Sequence, residues 1–379
     1  MRGVSMKSVL FFIEALSSGG AETVFNNLIR YIDKTKYDIT VVTERDKELF
    51  TDEIKSQVKF KSFVKVERSK ARDIFNKAVI KSSLKAPEKI IRNFYIGGKY
   101  DIEVAFCEGY STKIIGNSGS RNCKKIAWVH TDVINNPWSE RIFGDAKGEK
   151  ECYSNFDKIV CVSETIRQSF IKKYGFADKT TVVPNIIDTE RIFLLSREAC
   201  NTPTDHPYFT TAGRFESVKG YERLIDILSK LKQEGYFFRL DMMGEGTLEA
   251  ALKKKIKSKN LFDEIRIIGF QNNPYKYIAK SDAFICSSYA EGYSTVVAES
   301  VAMNIPVITT LCSGMKEIFG QNRCGIICEN NDDALYKAIK YFLDNPQKKD
   351  CYSHEESIRA REFSISKQLN VVEKLLDEE

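Results

Sequence analysis

Ala283-Phe284-Ile285-Cys286, with Tyr289-Ala290-Glu291-Gly292-Tyr293-Ser294-Thr295-Val296-Val297-Ala298-Glu299 close behind it, is the stretch from which the fold of this chain is read. A short, unbroken apolar run suits a strand buried on both faces of a parallel sheet. The loop after it carries Glu291, and Ser294 stands where an N-cap residue belongs; the pattern from Thr295 to Met303 is helical. Together these make one βα unit. The same alternation extends in both directions. Downstream of residue 200, further strands are expected at Tyr208–Ala212, Phe237–Met243, Ile265–Gly269, Pro306–Thr310 and Gly325–Cys328. The helices between them are expected at Tyr221–Leu231, Leu248–Ile256, Met315–Ile318 and Asp332–Phe342. Upstream, strands are expected at Ser8–Ile13, Tyr37–Val42, Ile102–Phe106, Lys125–Val129 and Lys158–Val162. Helical patterns there fall at about Glu22–Ile32, Arg72–Phe94 and Thr165–Tyr174.

Strands alternating with helices predict an α/β protein with parallel sheets. A break at Val183-Pro184-Asn185 and a polar, proline-containing segment from Asn201 to Pro207 divide it. The expected domains are 1–184 and 185–354, each doubly wound. The polar helical tail, about 355–379, either caps the second domain or crosses back to the first. A length of 379 residues accommodates two domains, and 42% hydrophobic with 29% charged residues is the profile of a globular chain. No apolar run approaches the roughly 18–20 residues of a membrane span. The first apolar run, Val9 to Ile13, is too short for a signal-peptide core. The ten cysteines include no CxxC pair, and Cys107, Cys161 and Cys286 sit in strand-like runs as small hydrophobes. A reduced, cytoplasmic setting is expected.

In doubly wound domains ligands bind beyond the C-terminal ends of the strands, so chemistry is sought in the loops there. After the first strand, Ser17-Ser18-Gly19-Gly20-Ala21-Glu22 reads by itself first as a plain tight turn with Glu22 in a first helical turn; it also offers close backbone approach and a helix N-terminus for an anion. In Gly213-Arg214-Phe215-Glu216-Ser217-Val218-Lys219-Gly220, a guanidinium fork and an ammonium suit a diphosphate, or are two solvated loop cations. Gly244-Glu245-Gly246-Thr247-Leu248-Glu249 imitates a dinucleotide fingerprint. It ends on Glu249, however, and the acids that follow, Asp263 and Glu264, precede a strand rather than end one. The nicotinamide reading fails there, while a phosphate-approach loop at Gly244 and Gly246 stays open. Glu291 and Glu299 flank a helix N-terminus. They suit a sugar nucleotide, or are simply acids near a helix start.

Taken in order, the Gly19-Gly20 loop, the Val183-Pro184-Asn185 hinge, Gly213-Arg214 with Lys219-Gly220, Gly244-Glu245-Gly246, Gly269-Phe270 and Glu291-x7-Glu299 resemble glycosyltransferase family 4. The resemblance covers nearly the whole chain and is strongest over residues 208–320. It implies the GT-B fold, two Rossmann-like domains facing a central cleft, with retention of anomeric configuration. It assigns the donor diphosphate to Arg214 and Lys219, with the Gly20 backbone and the N–H groups of Ser294, Thr295 and Val296. Glu291, with Gly292 and Tyr293, would hold the transferred sugar, and Glu299 the ribose. Phe270 and Gln271 would lie near the base. His130, in Trp128-Val129-His130-Thr131-Asp132, matches a family histidine near the donor sugar and reaction centre; a histidine after a strand is also commonly structural. No Asp-x-Asp pair ends a strand, so neither metal nor other cofactor is expected, and cations would stabilise the leaving diphosphate.

The implied activity is retaining transfer of a hexose or N-acetylhexosamine from a nucleotide diphosphate sugar, UDP being the commoner nucleotide, to a saccharide acceptor. A lipid-linked acceptor and surface polysaccharide synthesis follow from the same resemblance. A GT-B sugar-nucleotide epimerase would share the donor site, and a basic nucleic-acid-binding protein is the non-enzymatic alternative, though no nucleic-acid recognition motif is present. The basic excess is local: residues 51–100 hold 13 Lys/Arg against 5 Asp/Glu, in a chain of net charge +6. Within it, Ile74, Phe75, Val79, Ile80, Leu84, Ile90, Ile91 and Phe94 recur near helical spacing. They are interleaved with Lys70, Arg72, Lys77, Lys81, Lys85, Lys89 and Arg92. Such a basic amphipathic segment predicts weak contact with the anionic inner face of the cell membrane, or is a packed helix with a solvated cationic face.

Overall fold

The structure is a computed structural model that describes residues 6–66, 74, 76, 78–80, 86–120, 122–202 and 205–378. Among these, thirteen strands form two sheets in which every strand pair is parallel. The first sheet contains β1 (Lys7–Phe12), β2 (Tyr37–Arg45), β3 (Lys59–Val64), β4 (Ile102–Ala105), β5 (Lys124–Val129), β6 (Lys158–Cys161) and β7 (Thr180–Val182). Its order is β3-β2-β1-β4-β5-β6-β7. The second contains β8 (Tyr208–Ala212), β9 (Arg239–Met243), β10 (Ile265–Gly269), β11 (Ala283–Cys286), β12 (Val307–Thr310) and β13 (Gly325–Cys328), in the order β10-β9-β8-β11-β12-β13.

Both sheets wind outward from their first strand in one direction and then jump back to its other side. This reversal places a switch point between β1 and β4 in one sheet and between β8 and β11 in the other. Loops at such points diverge and leave a crevice. The second sheet contains every strand that sequence reading expects there. The first has two more, both edge strands: β3, with half-exposed alternating residues, and the three-residue β7. Helices Thr51–Lys55, Tyr110–Gly116, Ala146–Ser154, Thr189–Ser196 and Tyr275–Ile278 are likewise additional.

The chain divides into two compact units, the first running to Ile186 and resuming from Ser366, the second running from Ile187 to Ile365. The tail therefore does two different things. Helix Lys348–Ala360 stays with the second unit, where the Arg359 guanidinium donates to the Ile318 and Glu317 carbonyls at 2.7 and 2.6 Å. Helix Ile365–Asp377 belongs mostly to the first unit. The Lys7 ammonium donates to the Leu376 carbonyl at 3.1 Å, the Tyr37 hydroxyl to Asp377 at 2.9 Å and the Lys124 ammonium to the Leu375 carbonyl at 2.7 Å.

The basic segment is described only in part, and it departs from expectation at Arg92. Lys70, Arg72, Phe75, Lys77, Lys81, Leu84 and Lys85 lie outside the described residues. After Pro87 the chain makes helix Glu88–Ile91, which opens into a π turn at Arg92–Ile96. Arg92 is not on a solvated basic face: it is buried and pairs with Glu103 at 2.6 Å. Ile91 and Ile80 are buried too, whereas Ile90 and Phe94 are exposed, Phe94 at 81%.

Candidate active site

In the second domain the loops after β8 and β11 leave the switch point and carry the residues of interest. The β8 loop is anchored by Phe215, whose ring is fully buried, while Arg214 beside it is exposed and its guanidinium makes no hydrogen bond or ion pair among the described residues. Gly213 and Gly220 have φ of +155° and +65°. At Gly220 a Cβ would lie 2.1 Å from the Ser287 carbonyl oxygen, so glycine is required where the two switch-point loops touch. The space for side chains at Gly244 and Gly246 is filled by backbone of Gly213 and Phe215, at 2.0 and 2.6 Å from the would-be Cβ atoms. Loop-on-loop packing accounts for both glycines, and their close approach is to protein backbone.

From this loop Lys219 reaches across to Glu291, Nζ to Oε1 at 2.7 Å. The Ser288 hydroxyl donates to the same Glu291 oxygen, and Cys286 Sγ lies 4.0 Å from it. Burial by itself would push the Lys219 ammonium down, but the Glu291 charge and the Cys286 sulfur outweigh it and hold its pKa above the usual lysine value. Lys219 is therefore a permanent cation. The β11 loop is pinned from behind by Arg223, whose Nε and Nη2 donate to the Ser287 and Ser288 carbonyls and whose guanidinium lies 3.9 Å over the Tyr289 ring. No motif marks Arg223 or Ser288 in the sequence, and both were missed.

Ser294 occupies the N-cap position of helix Thr295–Ala302, but contrary to expectation its side chain makes no capping hydrogen bond. The first turn also contains no acid. The N-terminus of this helix is therefore capped neither by Ser294 nor by an acid of its own first turn, and it lies beside Gly292 and Tyr293, both buried. One turn on, Glu299 is buried and its carboxyl is pushed up to about 7 by that burial, against the lowering effect of the Tyr275 hydroxyl, which donates to Oε1 at 3.0 Å. Tyr275 follows the β10 loop that holds Phe270, 38% exposed, and Gln271, whose amide is turned back onto the Ile268 carbonyl at 2.7 Å.

In the first domain Gly20 opens helix Gly20–Tyr31 in an exposed position, again with no side-chain cap. His130 follows β5. Its Nε2 lies 2.8 Å from the Phe106 carbonyl, which can only accept, so Nε2 carries the proton and Nδ1 is the bare acceptor. Burial lowers the imidazole pKa to about 4, and the ring is neutral at physiological pH. Its backbone is fixed by Glu108, a buried residue after β4 that sequence reading missed. One oxygen of Glu108 accepts from His130 N at 2.7 Å, Thr131 N at 2.6 Å and the Thr131 hydroxyl at 2.8 Å. A charged residue directly after a buried strand was the available signal. No three His, Cys, Asp or Glu side chains converge as a metal site among the described residues.

Two doubly wound α/β domains, the second with a cation, two carboxylates and an uncapped helix N-terminus at its switch point, are the architecture of a GT-B protein. The family models agree: "Glycosyltransferase Family 4" matches residues 18–191 and "Glycosyl transferases group 1" residues 194–358. The chain belongs to glycosyltransferase family 4. It is similar to an N-acetylgalactosamine-N,N'-diacetylbacillosaminyl-diphospho-undecaprenol 4-alpha-N-acetylgalactosaminyltransferase of Campylobacter jejuni, 29% identical over 56% of this chain and 57% of that one. A lipopolysaccharide core biosynthesis glycosyltransferase of Rhizobium meliloti is 27% identical over 53% and 58%. The chain thus spans a little over half the length of these curated relatives. Among solved structures, Anabaena HepE in complex with UDP and glucose superposes with a TM-score of 0.77 at 15% identity, over 98% of this chain and all of that one.

Proposed function

We propose that the protein is a retaining glycosyltransferase that moves a hexose or N-acetylhexosamine from a UDP-sugar to a saccharide acceptor, lipid-linked, in bacterial surface polysaccharide synthesis. The observation that carries this reading is the arrangement around one helix start: Lys219 held at Glu291, the uncapped N-terminus of Thr295–Ala302, and Glu299 one turn further in. Breaking the bond between sugar and phosphate leaves negative charge on the departing diphosphate. Arg214, Lys219 and the N–H groups of the helix start would supply the donors that stabilise it. Glu291 accepts from hydroxyls of the transferred sugar and Glu299 from the ribose. Phe270 and Gln271 flank the base. Burial holds the His130 pKa at about 4 and makes the imidazole a weak base, so its part is to accept a sugar hydroxyl at Nδ1. With no protein nucleophile assigned, the leaving phosphate itself accepts the acceptor's proton on the same face. The lipid-linked acceptor and the nucleotide are supported by what the C. jejuni relative is named for and by the UDP bound in HepE.

Exposed Ile90 and Phe94, beside Lys89, form the described part of a surface suited to an anionic membrane, and no helix among the described residues is long and apolar enough to cross one. A peripheral position on the cytoplasmic face fits both. The test of the activity is a panel of nucleotide sugars followed by thermal shift and by product formation with and without saccharide acceptor. Transfer from one UDP-sugar is expected. Epimerised free UDP-sugar without any transfer would assign the site to an epimerase.

A further inference from the structure

We propose that Tyr275 is a positioning residue for nucleotide selection: its hydroxyl fixes the Glu299 carboxylate so that the remaining oxygen faces the ribose hydroxyls of the donor. The inference rests on the donor-site reading above and adds to it a residue that neither motif nor spacing marks.

The geometry is specific. Tyr275 Oη donates to Glu299 Oε1 at 3.0 Å, and no described residue donates to Oε2. A glutamate carboxyl rotates easily about its last bond, where the torsional wells are broad. One strong donor on Oε1 fixes that rotation and dedicates Oε2 to whatever lies outside. The tyrosine is itself held firmly. Its backbone N–H donates to Asn273 Oδ1 at 3.1 Å, and Asn273 Nδ2 donates to the Leu195 carbonyl at 2.9 Å, tying the turn after β10 to helix Thr189–Ser196. Pro274 sets the start of helix Tyr275–Ile278, and its carbonyl accepts from Tyr277 N and Ile278 N at 3.0 and 3.1 Å. Tyr275 therefore comes directly off the loop of Phe270 and Gln271, and links the segment near the base to the group at the ribose.

Burial makes the arrangement consequential. Glu299 is 7% exposed, and its raised pKa shows that the pocket disfavours the anion; the Tyr275 hydroxyl is the contact that favours it. The charges acting on the tyrosine from the facing helix are Arg191 and the Asp188 carboxylate at its N-cap. Without the hydroxyl, Glu299 would lose both its orientation and its stabilised acceptor form. The effect should reach only ligands that present ribose hydroxyls.

Calorimetric titration of UDP and of 2′,3′-dideoxy-UDP into the wild-type protein, Tyr275→Phe, Glu299→Gln and the double variant tests this. Wild type is expected to prefer UDP by about tenfold, the scale of a hydrogen bond to a charged group. Tyr275→Phe should weaken UDP by about three- to tenfold and leave dideoxy-UDP within about twofold, and the double variant should bind UDP no worse than Glu299→Gln alone. Equal weakening of both nucleotides by Tyr275→Phe, or additive losses in the double variant, would overturn the proposal while leaving Glu299 at the ribose. Equal binding of both nucleotides by wild type would instead remove Glu299 from the ribose, and the proposal with it. Thermal unfolding of Tyr275→Phe at the wild-type temperature confirms that the comparison is between folded proteins.

Discussion

The Lys219 ammonium and the Glu291 carboxylate, 72 residues apart in sequence, meet at 2.7 Å across the two loops of the second domain's switch point. Each is assigned to a different part of the donor, the ammonium to the diphosphate and the carboxylate to the sugar. Without donor they neutralise one another, which lets a partly buried acid and base coexist in the folded chain. The relationship separates the roles of the two cations in the site.

Arg214 makes no hydrogen bond or ion pair among the described residues, whereas Lys219 is committed to Glu291. Arg214→Ala should weaken UDP binding by about 1.5–3 kcal/mol, as expected for charge-assisted bonds, with the melting temperature unchanged. Lys219→Ala should weaken UDP to a similar degree and lower the melting temperature as well, because it strands a carboxylate whose side chain is 11% exposed. Calorimetry and thermal unfolding read both quantities. Unchanged UDP affinity in both variants would remove the diphosphate assignment.

Glu291 and Glu299 should separate by phenotype. Glu291→Gln is expected to lower turnover far more than it lowers UDP affinity, since its contact is to the sugar. Glu299→Ala should weaken UDP itself. The reverse pattern would mean that sugar and ribose lie the other way round along this segment. Turnover should also persist in excess EDTA; loss that Mg²⁺ or Mn²⁺ restores would show that cationic side chains do not suffice for the leaving diphosphate.

How much of this could be read from the sequence depended on what kind of contact each residue makes. All six strands of the second sheet were legible because each is a short apolar run with a turn at its end. Strand β3, Lys-Phe-Lys-Ser-Phe-Val from Lys59, was lost in the basic segment: as an edge strand it buries one face only and shows lysines on the other. Strand β7 is three residues with none fully buried, so it carried no apolar signal. In the site, Glu291 and Glu299 are eight apart and share a loop and helix, so their spacing revealed them. Glu108 and His130 are 22 apart, and Tyr275 and Glu299 are 24 apart. Those pairs exist because strands bring separate loops together, and no local pattern encodes them. Ser294 misled for the opposite reason: an N-cap residue type at an N-cap position suggested a side-chain bond that the backbone geometry does not make.

The pH dependence of the second domain follows from Glu299. Its carboxyl titrates near the ordinary glutamate value of 4.5 when unfolded and at about 7 when folded, raised by burial. Between those values the folded state retains a proton that the unfolded state has released, so stability falls as pH rises from about 4.5 to 7, by roughly 3 kcal/mol for this group alone. Glu356, buried without a hydrogen-bond partner, moves in the same direction. Glu299→Gln should flatten the decline in melting temperature over that range. In the same variant UDP affinity should lose the wild-type drop below pH 7, where protonation removes a good acceptor of ribose hydroxyls. A wild-type and variant pair with parallel pH profiles would contradict both statements.

His130 should leave no mark on the pH–rate profile between 6 and 8. Burial holds its pKa at about 4, and its Nε2 proton is engaged by the Phe106 carbonyl. His130→Ala should lower turnover by removing an acceptor at the sugar without moving any inflection in that range. An inflection near 6.5 in wild type that disappears in the variant would show instead an ordinary, titrating imidazole taking part in proton transfer.

Membrane contact, finally, is expected to depend on two exposed apolar residues and not on every cation of the basic segment. Ile90 and Phe94 stand one turn apart on the outer side of Glu88–Ile96, with Phe94 among the most exposed large apolar side chains of the molecule. Inserting such side chains at an anionic interface adds to an electrostatic attraction on the order of 1 kcal/mol per nearby Lys or Arg. Arg92, on the same short segment, points inward to Glu103 and contributes nothing to that attraction. Co-sedimentation with anionic vesicles at low salt should therefore fall strongly in an Ile90→Ser, Phe94→Ser double variant whose melting temperature is unchanged. Arg92→Ala should do the opposite, lowering the melting temperature by breaking a buried pair, at a cost of about 3–5 kcal/mol, with vesicle binding of the remaining folded protein intact. Raising the salt should release wild-type protein from the vesicles. Equal sedimentation with neutral and anionic vesicles, or none with either at low salt, would leave the basic segment as ordinary solvated surface and place the acceptor's capture elsewhere on the protein.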